Sequence, residues 1–182
     1  MKFLTFPSPF GTFTILWKGT ESDLQLQRIF LSDPKQNSET KVFESFKHIK
    51  SGSSKLISTL GDKIQQFLKG GNIEFNLELL DFNVCTNIQE KVLKADFRIP
   101  RGWVSTYKRI ANYIRVQNGA RVVGNSLARN PFPIIIPCHR AIKSNGELGG
   151  YQGGITMKRA LLELEGVKLS DKGKVITENM YY

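Results

Sequence analysis

A cysteine and a histidine stand side by side at Cys138 and His139, although the 182-residue chain holds only two of each. A thiol reacts as its thiolate, and a neighbouring imidazole can take the thiol proton while a carboxylate orients the imidazole. Glu165, at the end of the last predicted helix, is the candidate carboxylate. These residue types predict a cysteine nucleophile that is activated by a histidine–glutamate pair.

The residues alone leave a second interpretation of Cys138 open. The apolar run 132–136 precedes it and is predicted to be a buried strand, and a buried cysteine is more often an inert small side chain than a nucleophile. Successive side chains of a strand point to opposite faces, so a direct contact between Cys138 and His139 would need a turn. A water between the two side chains would be compatible with the strand.

The first third of the chain is predicted to be rich in strands. Residues 2–19 hold two β-rich runs around Pro9 and Gly11, which is a hairpin pattern. Apolar and polar residues then alternate from Leu24 to Ile29, as they do in a half-buried strand. These segments predict a β-rich amino-terminal domain.

A helix, a loop and a connector complete that domain. Residues 32–41 are predicted to be a polar loop, and residues 73–80 are predicted to be a strand or an extended connector. Between them lies a helix that ends at Gly70-Gly71. Its apolar residues share one face and are Ile57, Leu60, Ile64, Phe67 and Leu68.

The second half of the chain is predicted to be helical. Helices are expected over residues 87–97, 105–114 and 119–128, and Ser105 is the predicted N-cap of the second one. The second and third helices are separated by a short polar break at 115–118. Two short helices around a tight break predict a helix-turn-helix.

The last helix and the domain boundary complete the prediction. A helix over residues 153–166 is expected to turn three apolar residues inward, namely Met157, Leu161 and Leu164. The change of pattern predicts an amino-terminal α/β domain over residues 1–82 and a helical carboxyl-terminal domain over residues 83–182. The predicted fold class is α/β.

The third helix of that domain has an unusual surface. Its small residues are Gly119, Ala120, Gly124, Ser126 and Ala128. A helix that reads base edges in the major groove usually offers long polar side chains, and this helix offers little except Arg121. Small residues allow a close approach, either to a narrow minor groove or to another helix. Both interpretations stay open at this point.

The chain is strongly basic. It contains 26 Lys and Arg against 16 Asp and Glu, a formal charge of +10. A surplus of this size favours a polyanionic partner such as nucleic acid, although a basic surface that serves solubility has the same composition.

Several classes of protein are not expected. Two distant cysteines form no disulfide framework, and with two separated histidines they form no common zinc spacing, so no metal is predicted. A reducing, intracellular setting is the simplest interpretation. The amino terminus lacks the apolar core of a signal peptide, and no segment approaches the length of a membrane span.

The residues around Cys138 resemble the active-site block of the O6-alkylguanine-DNA alkyltransferases, also called methylated-DNA–protein-cysteine methyltransferases. The family signature is PCHR followed by small or β-branched residues, which here is Pro137–Ile142. The resemblance runs from about Phe82 to Val167 and includes IPRG, TYKRIA and GARVVGNSLARNP in the expected order and spacing. The SPFG hairpin resembles the amino-terminal domain of the family less specifically.

The resemblance implies a chemistry. Cys138 would attack the alkyl carbon on O6 of guanine in DNA and keep it as a thioether, so each molecule would act once. Glu165, His139 and a bridging water would generate the thiolate, and Asn130 would brace the turn before the active-site segment. Tyr107 would donate a proton to the base. No cofactor is implied.

The resemblance also implies a pocket for a guanine that has been flipped out of the duplex. Ala141, Tyr151, Gln152 and Lys158 are the implied substrate-binding residues. Gln152 stands where many relatives carry serine, so the pocket width and the preferred alkyl size stay open. Asp96 is a second departure, because it occupies a position that is commonly apolar in the helix before IPRG.

The implied partner is double-stranded DNA, bound in the minor groove without regard to sequence, and the implied state is a monomer. Arg121 would fill the place of the flipped nucleotide. The other implied DNA contacts are Ala120, Gly124, Ser126, Ala128 and Thr106. The implied fold is a ribonuclease-H-like amino-terminal domain joined to a helix-turn-helix domain with the active-site cysteine, located in the cytoplasm or in a eukaryotic nucleus.

Three rival functions make different predictions. A lesion-binding protein without transfer activity would not use Cys138. A cysteine hydrolase would turn over repeatedly and would have no use for a basic DNA-binding helix. A helix-turn-helix regulator would bind a specific sequence, which the small-residue helix argues against.

Overall fold

The computed structural model describes residues 1–182 as an α/β chain with six α-helices and eight strands. Its contacts divide into two compact units. Unit 1 comprises Met1–Val84 and Pro131–Ile135, and unit 2 comprises Cys85–Asn130 and Ile136–Tyr182. None of the helices combines the length and apolar composition that crossing a bilayer requires.

The sheet of unit 1 is built on the predicted hairpin, which is confirmed. Strands β1 (Lys2–Phe6) and β2 (Phe13–Lys18) are antiparallel, and Gly11 takes a φ of +91° in the turn between them. The predicted alternating strand is also confirmed as β3 (Gln25–Leu31). The strand order is β3-β2-β1-β4, in which β4 (Lys50–Ser51) runs parallel to β1.

The predicted helix with one apolar face is confirmed as α2 (Lys55–Leu68). It begins at Ser54, whose hydroxyl accepts a hydrogen bond from the N–H of Ile57. Gly61 lies on its buried face, where a Cβ would come within 2.2 Å of the Phe6 ring. Glycine therefore allows the helix and β1 to approach closely.

The prediction of a loop over residues 32–41 was wrong at its end, because α1 (Ser38–Ser45) begins there. Asn37 caps this helix by accepting the N–H of Thr40. Val42 is the only fully buried apolar residue of the helix. A short helix with so little apolar surface has no periodicity from which it could be predicted.

Residues 73–80 form a connector, and the strand alternative is not observed. The connector is held to β3 by backbone bonds, from the Leu26 N–H to the Leu79 carbonyl and from the Asp81 N–H to the Leu26 carbonyl. A 3-10 helix, Phe82–Val84, follows.

Each unit has its own apolar core. The largest fully buried apolar side chains of unit 1 include Phe13, Ile15, Trp17, Leu26, Ile57, Ile64 and Leu68. A cluster in unit 2 consists of Val104, Ile142, Leu148, Leu162 and Val167. Full burial of a side chain of this size stabilises the fold by about 1.5–3 kcal/mol.

The three predicted helices at the start of unit 2 are confirmed as α3 (Asn87–Phe97), α4 (Tyr107–Tyr113) and α5 (Ala120–Ala128). The predicted N-cap of α4 was wrong by one residue. Thr106, not Ser105, accepts an N–H of the first turn. Ser105 instead donates its hydroxyl to a carbonyl near the carboxyl terminus.

The predicted strand over residues 132–136 was wrong, although all five residues are buried. Three prolines, at positions 131, 133 and 137, remove N–H donors that a sheet would require. Ile134 also takes a φ of +75°, which breaks an extended course. The segment ends in a 3-10 helix, Cys138–Arg140.

Two small strand pairs complete unit 2. Strand β5 (Ser105–Thr106) pairs in parallel with β6 (Ala141–Ile142), which directly follows the 3-10 helix. Strands β7 (Lys168–Leu169) and β8 (Val175–Ile176) form an antiparallel hairpin near the carboxyl terminus.

The last predicted helix is confirmed as α6 (Ile155–Leu164), and Gly166 follows it with a φ of +84°. Its predicted inward face was partly wrong, because Leu164 is 41% exposed. The residues that face inward are Met157, Lys158, Leu161 and Leu162. A buried lysine therefore lies on the face that was expected to be apolar.

Candidate active site and nucleic-acid interface

Cys138 begins the 3-10 helix and is 5% exposed. The helix places Cys138 and His139 on a tight turn instead of on opposite faces of a strand. Burial raises the pKa of the Cys138 thiol to about 12; the charge of Asp96 adds to this rise, whereas the Asn130 hydrogen bond and the charge of Lys158 oppose it. At neutral pH the resting side chain is therefore a thiol.

His139 and Glu165 form a buried pair, in which Nε2 of His139 lies 2.8 Å from Oε1 of Glu165. Burial lowers the pKa of His139, and the charge of Glu165 opposes this effect. Burial alone would raise the pKa of Glu165, but His139 and Arg140 outweigh it and hold the pKa at about 2. A carboxylate only accepts hydrogen bonds, so Nε2 carries the hydrogen and Nδ1 is the basic nitrogen of a neutral imidazole.

Arg140 binds the same carboxylate and was missed by the sequence reasoning. Its Nε and Nη2 atoms donate to the two oxygens of Glu165, each over 2.8 Å, and its Nη1 donates to the Ile99 carbonyl over 2.6 Å. This two-pronged contact supplies the counter-charge that a buried carboxylate needs. The available signal was an arginine next to His139 between two apolar stretches.

Asn130 is fully buried directly after α5. Its Nδ2 atom donates to the Ile136 carbonyl over 3.1 Å and to Sγ of Cys138 over 3.3 Å. The residue that was expected to brace the turn therefore also contacts the sulfur atom. An N–H donor at this position favours the thiolate over the thiol.

Lys158, Ala141 and Tyr107 lie together. The buried Lys158 ammonium donates to the Ala141 carbonyl over 2.6 Å and lies 5.9 Å from the centre of the Tyr107 ring. Burial lowers the pKa of Lys158 to about 8, although Cys138 and Asp96 oppose the shift. Burial raises the pKa of Tyr107 to about 12, and Cys138 and Asp96 add to the rise. The phenol therefore stays protonated at neutral pH and can donate a hydrogen bond.

Asp96 is fully buried on α3, and no group donates a hydrogen bond to either of its carboxylate oxygens. Burial raises the pKa of Asp96 to about 7, although the charges of Arg140 and Lys158 oppose the rise. In the sequence Asp96 stands out only as a departure from a commonly apolar position. Its neighbours Val92 and Leu93 are buried on the same helix, so the structure keeps the apolar environment and places an acid in it.

The predicted pocket residues of the loop 149–154 lie beside this cluster. The Tyr151 hydroxyl is buried without a hydrogen-bond partner, and its ring packs edge-on to the ring of His139 at 6.3 Å. The Gln152 side chain donates through Nε2 to the Asn130 carbonyl over 2.6 Å.

The predicted DNA contacts divide into exposed and buried residues. Arg121 and Ala128 are exposed on α5, and Ala120 is half-buried. Ser126 is 8% exposed, and Thr106 is 7% exposed with its hydroxyl used as the cap of α4. Ser126 is therefore not part of the exposed surface of α5, and Thr106 is not part of the exposed surface at the start of α4.

Gly124 lies half-buried in the middle of α5, and a Cβ built on it would meet no atom within 4 Å. Packing inside the protein thus does not require a glycine here, although glycine weakens a helix by about 0.5–1 kcal/mol relative to alanine. Val122 and Asn125 are exposed on the same helix and were not among the predicted contacts.

The positive charge is concentrated in unit 2. This unit holds sixteen of the 26 Lys and Arg and seven of the 16 Asp and Glu, a formal charge of +9 out of the total of +10. The nearly neutral unit 1 therefore contributes little attraction for a polyanion, and the charge surplus lies in the unit that carries α5 and Cys138.

Known proteins resemble the chain over the region that contains α5 and Cys138. The family described as "6-O-methylguanine DNA methyltransferase, DNA binding domain" matches residues 87–167. A methylated-DNA–protein-cysteine methyltransferase of Methanothermobacter thermautotrophicus is 48% identical over 113 residues, which cover 62% of this chain and 63% of that protein. The chain thus matches about three fifths of the length of this curated relative.

Solved structures resemble the chain over more of its length. The Mycobacterium tuberculosis OGT in complex with DNA has a TM-score of 0.71 and 36% identity, and the match covers 91% of this chain and 92% of that one. The O6-methylguanine-DNA methyltransferase of Pyrococcus kodakaraensis has a TM-score of 0.69 and 25% identity, covering 91% of this chain and 99% of that one.

Proposed function

Because the chain belongs to the methylated-DNA–protein-cysteine methyltransferase family, we propose that it removes the alkyl group from O6-alkylguanine in DNA by moving it to Cys138. The observation that carries this proposal is the buried cluster of unit 2. In that cluster the Asn130 amide contacts the Cys138 sulfur, and Glu165 orients His139.

The transfer begins with the thiol proton. His139 takes this proton through Nδ1, directly or by way of one water, because its imidazole is neutral near pH 7 and is oriented by Glu165. The Cys138 thiolate thus forms as its proton moves to His139. A thiol that is protonated at rest is protected from adventitious electrophiles until a substrate is in place.

Bond exchange follows. The sulfur lone pair of Cys138 forms an S–C bond with the alkyl carbon as the C–O6 bond breaks, and the electron pair of that bond moves to guanine. Tyr107 donates a proton to the developing guanine anion, and the proton held by His139 restores the phenol. The products are guanine and an S-alkyl thioether, which nothing in the cluster can hydrolyse, so each molecule acts once.

Access to O6 requires the nucleotide to leave the duplex, at a cost of a few kcal/mol. We infer that α4 and α5 act as a helix-turn-helix and that α5 lies against the minor groove without reading sequence. The exposed Arg121 is suited to enter the base stack, and Gly124 allows the DNA backbone a close approach. The +9 charge of unit 2 supplies non-specific attraction for phosphates.

The remaining assignments extend the same proposal. Residues 83–182 form the DNA-binding alkyltransferase domain, and residues 1–82 form a ribonuclease-H-like domain. Ala141, Tyr151, Gln152 and Lys158 surround the flipped base. The protein acts as a monomer, in the cytoplasm or in a eukaryotic nucleus.

The number of lesions repaired per protein tests the proposal. A duplex with one O6-methylguanine, present in tenfold excess, is digested after incubation and its restored guanine is counted by mass spectrometry. Repair is expected to stop at about one equivalent, because the thioether is stable. Cys138→Ser is expected to bind the duplex and repair none.

The rivals give other outcomes in the same assay. Repeated turnover would favour a hydrolase. Tight binding by the wild-type protein without repair would favour a lesion-binding protein, and dependence of binding on the flanking sequence would favour a regulator. Repeated turnover or binding without repair would contradict the proposed transfer, and sequence-dependent binding would contradict the proposed DNA contact.

A further inference from the structure

The loop 149–154 has four glycines among six residues, so its free chain has many accessible conformations. Gly149 and Gly154 take φ values of +73° and +88°. Such a loop needs specific contacts to keep a single position. Gln152 provides one, since its Nε2 donates to the Asn130 carbonyl over 2.6 Å.

Asn130 connects this loop to the sulfur. Its main-chain carbonyl accepts a hydrogen bond from Gln152. Its side-chain Nδ2 donates to Sγ of Cys138 over 3.3 Å and to the Ile136 carbonyl over 3.1 Å. Both groups belong to the same fully buried residue, so a displacement of the main-chain carbonyl also displaces the side-chain amide. A single residue, Asn130, therefore links the loop to the nucleophile, through its main-chain carbonyl on one side and its side-chain amide on the other.

The loop also lies against two other groups of the site. A Cβ on Gly149 would come within 2.5 Å of the Tyr107 hydroxyl, and the ring of Tyr151 packs edge-on to that of His139. Outward movement of the loop would move Gly149 away from Tyr107 and Tyr151 away from His139. The position of the loop therefore sets the space available beside Tyr107 and His139.

We propose that Gln152 is a positioning residue, which fixes the loop 149–154 against Asn130 and thereby restricts the pocket to small alkyl groups. This inference rests on the proposed transfer to Cys138. A bulky alkyl group requires the loop to move, which breaks the bond to Asn130 and displaces the amide from the sulfur. A methyl group leaves both contacts in place.

The test compares Gln152→Ala and Gln152→Ser with the wild-type protein, using O6-methylguanine and O6-benzylguanine as free bases. Rates are followed as intact mass gain across neutral and alkaline pH. Transfer of methyl is expected to fall about tenfold, and the benzyl-to-methyl rate ratio is expected to rise about tenfold, since one hydrogen bond is lost. The pH profile for methyl transfer is expected to move to higher pH, because Nδ2 of Asn130, which donates to the sulfur, is no longer held in a fixed position.

Gln65→Ala is the matched control. Gln65 Nε2 donates to the Pro7 carbonyl over 2.8 Å within unit 1, so this variant loses the same kind of bond. It is expected to keep the wild-type rate ratio and pH profile. Thermal unfolding establishes that every variant is folded. If one Gln152 variant fails to fold, the other still provides the test.

Two negative results are distinguishable. If the wild-type protein transfers methyl while both Gln152 variants keep its rate ratio and pH profile, the positioning role is overturned and the proposed function stands. If the wild-type protein transfers methyl neither from the free base nor from duplex DNA, both proposals are overturned.

Discussion

Nε2 of His139 donates to Oε1 of Glu165 over 2.8 Å, and the two side chains are buried together. Glu165 is the C-cap of α6, whereas His139 belongs to the 3-10 helix, so the bond joins two elements of unit 2. Arg140 holds the same carboxylate through both oxygens. The same carboxylate therefore both orients the His139 imidazole and contributes to the stability of unit 2.

Glu165→Gln is expected to damage both properties. It leaves the Arg140 guanidinium buried without its counter-charge, which costs about 3–5 kcal/mol in the free energy of unfolding. It also replaces one of the two acceptor oxygens with an NH2 donor, so His139 and Arg140 compete for a single uncharged oxygen and the alkyl-transfer rate is expected to fall about 10²–10⁴-fold. Chemical denaturation and single-turnover kinetics measure the two effects.

Glu163→Gln is the control for this prediction. Glu163 is exposed on the same helix, so its loss of charge is expected to change stability by less than about 0.5 kcal/mol and to leave the rate unchanged. A wild-type transfer rate in the Glu165 variant would show that the transfer does not depend on orientation of His139 by Glu165.

Asp96 predicts a specific dependence of stability on pH. Its pKa is raised by burial from 3.8 to about 7, so the folded state holds a proton that the unfolded state has lost. Stability is therefore expected to fall as pH rises from about 4 to 7 and to level off above that, with a total loss of about 4 kcal/mol. The measurement is the free energy of unfolding of wild-type protein and Asp96→Asn at several pH values.

The Asn variant is expected to lose this slope and to be more stable than the wild-type protein at alkaline pH, because it cannot ionise. Asp62→Asn, at an exposed position of α2, is the control and is expected to retain the slope. The same pH dependence in the Asp96 variant would show that another group causes it.

Asn130→Ala is expected to slow alkyl transfer by about 10- to 100-fold, because a hydrogen bond to a charged sulfur contributes about 1.5–3 kcal/mol. The pKa of the Cys138 thiol should rise further, since the Asn130 donor lowers it in the intact protein. The pH dependence of the reaction with iodoacetamide measures this rise. Asn145→Ala, at an exposed position of unit 2, should match the wild-type protein in both measurements, and an unchanged pH dependence in the Asn130 variant would exclude its role at the sulfur.

Gly124→Leu is expected to change stability and DNA binding in opposite directions. Leucine has a higher helix propensity than glycine, and a Cβ at this position meets no atom within 4 Å, so the free energy of unfolding should increase by about 0.5–1 kcal/mol. The added side chain should block close approach of DNA and weaken duplex binding at least tenfold. Reaction with free O6-methylguanine is the internal control and should be unchanged. Unaltered duplex affinity would place the DNA on another surface.

Much of the fold follows from patterns in the sequence. The bounds of α3 and α5 agree with their apolar spacing, and the hairpin around Gly11 agrees with its turn residues. The strand predicted over residues 132–136 failed because apolar content alone does not distinguish a strand from a buried irregular segment. The prolines of that segment were the better signal.

The charged residues of the site were harder to predict. On α6 an apolar periodicity suggested that Leu164 faces inward, whereas the buried face includes Lys158. Arg140 and Asp96 are likewise buried ionisable residues in apolar surroundings, where a pattern of hydrophobic residues carries no information about them. Buried charges are stabilised by partners that are distant in sequence, such as Glu165 for Arg140, and only the folded chain brings these partners together.

The central claim is that the sulfur of Cys138 accepts the alkyl carbon. The most direct measurement uses a duplex whose O6-methyl group carries three deuterium atoms, followed by intact mass and peptide mapping of the protein. The account predicts one gain of about 17 Da, located on Cys138, as a deuterated methyl group replaces the thiol hydrogen. Unmodified protein after repair of the duplex, or a label on any other residue, would contradict it.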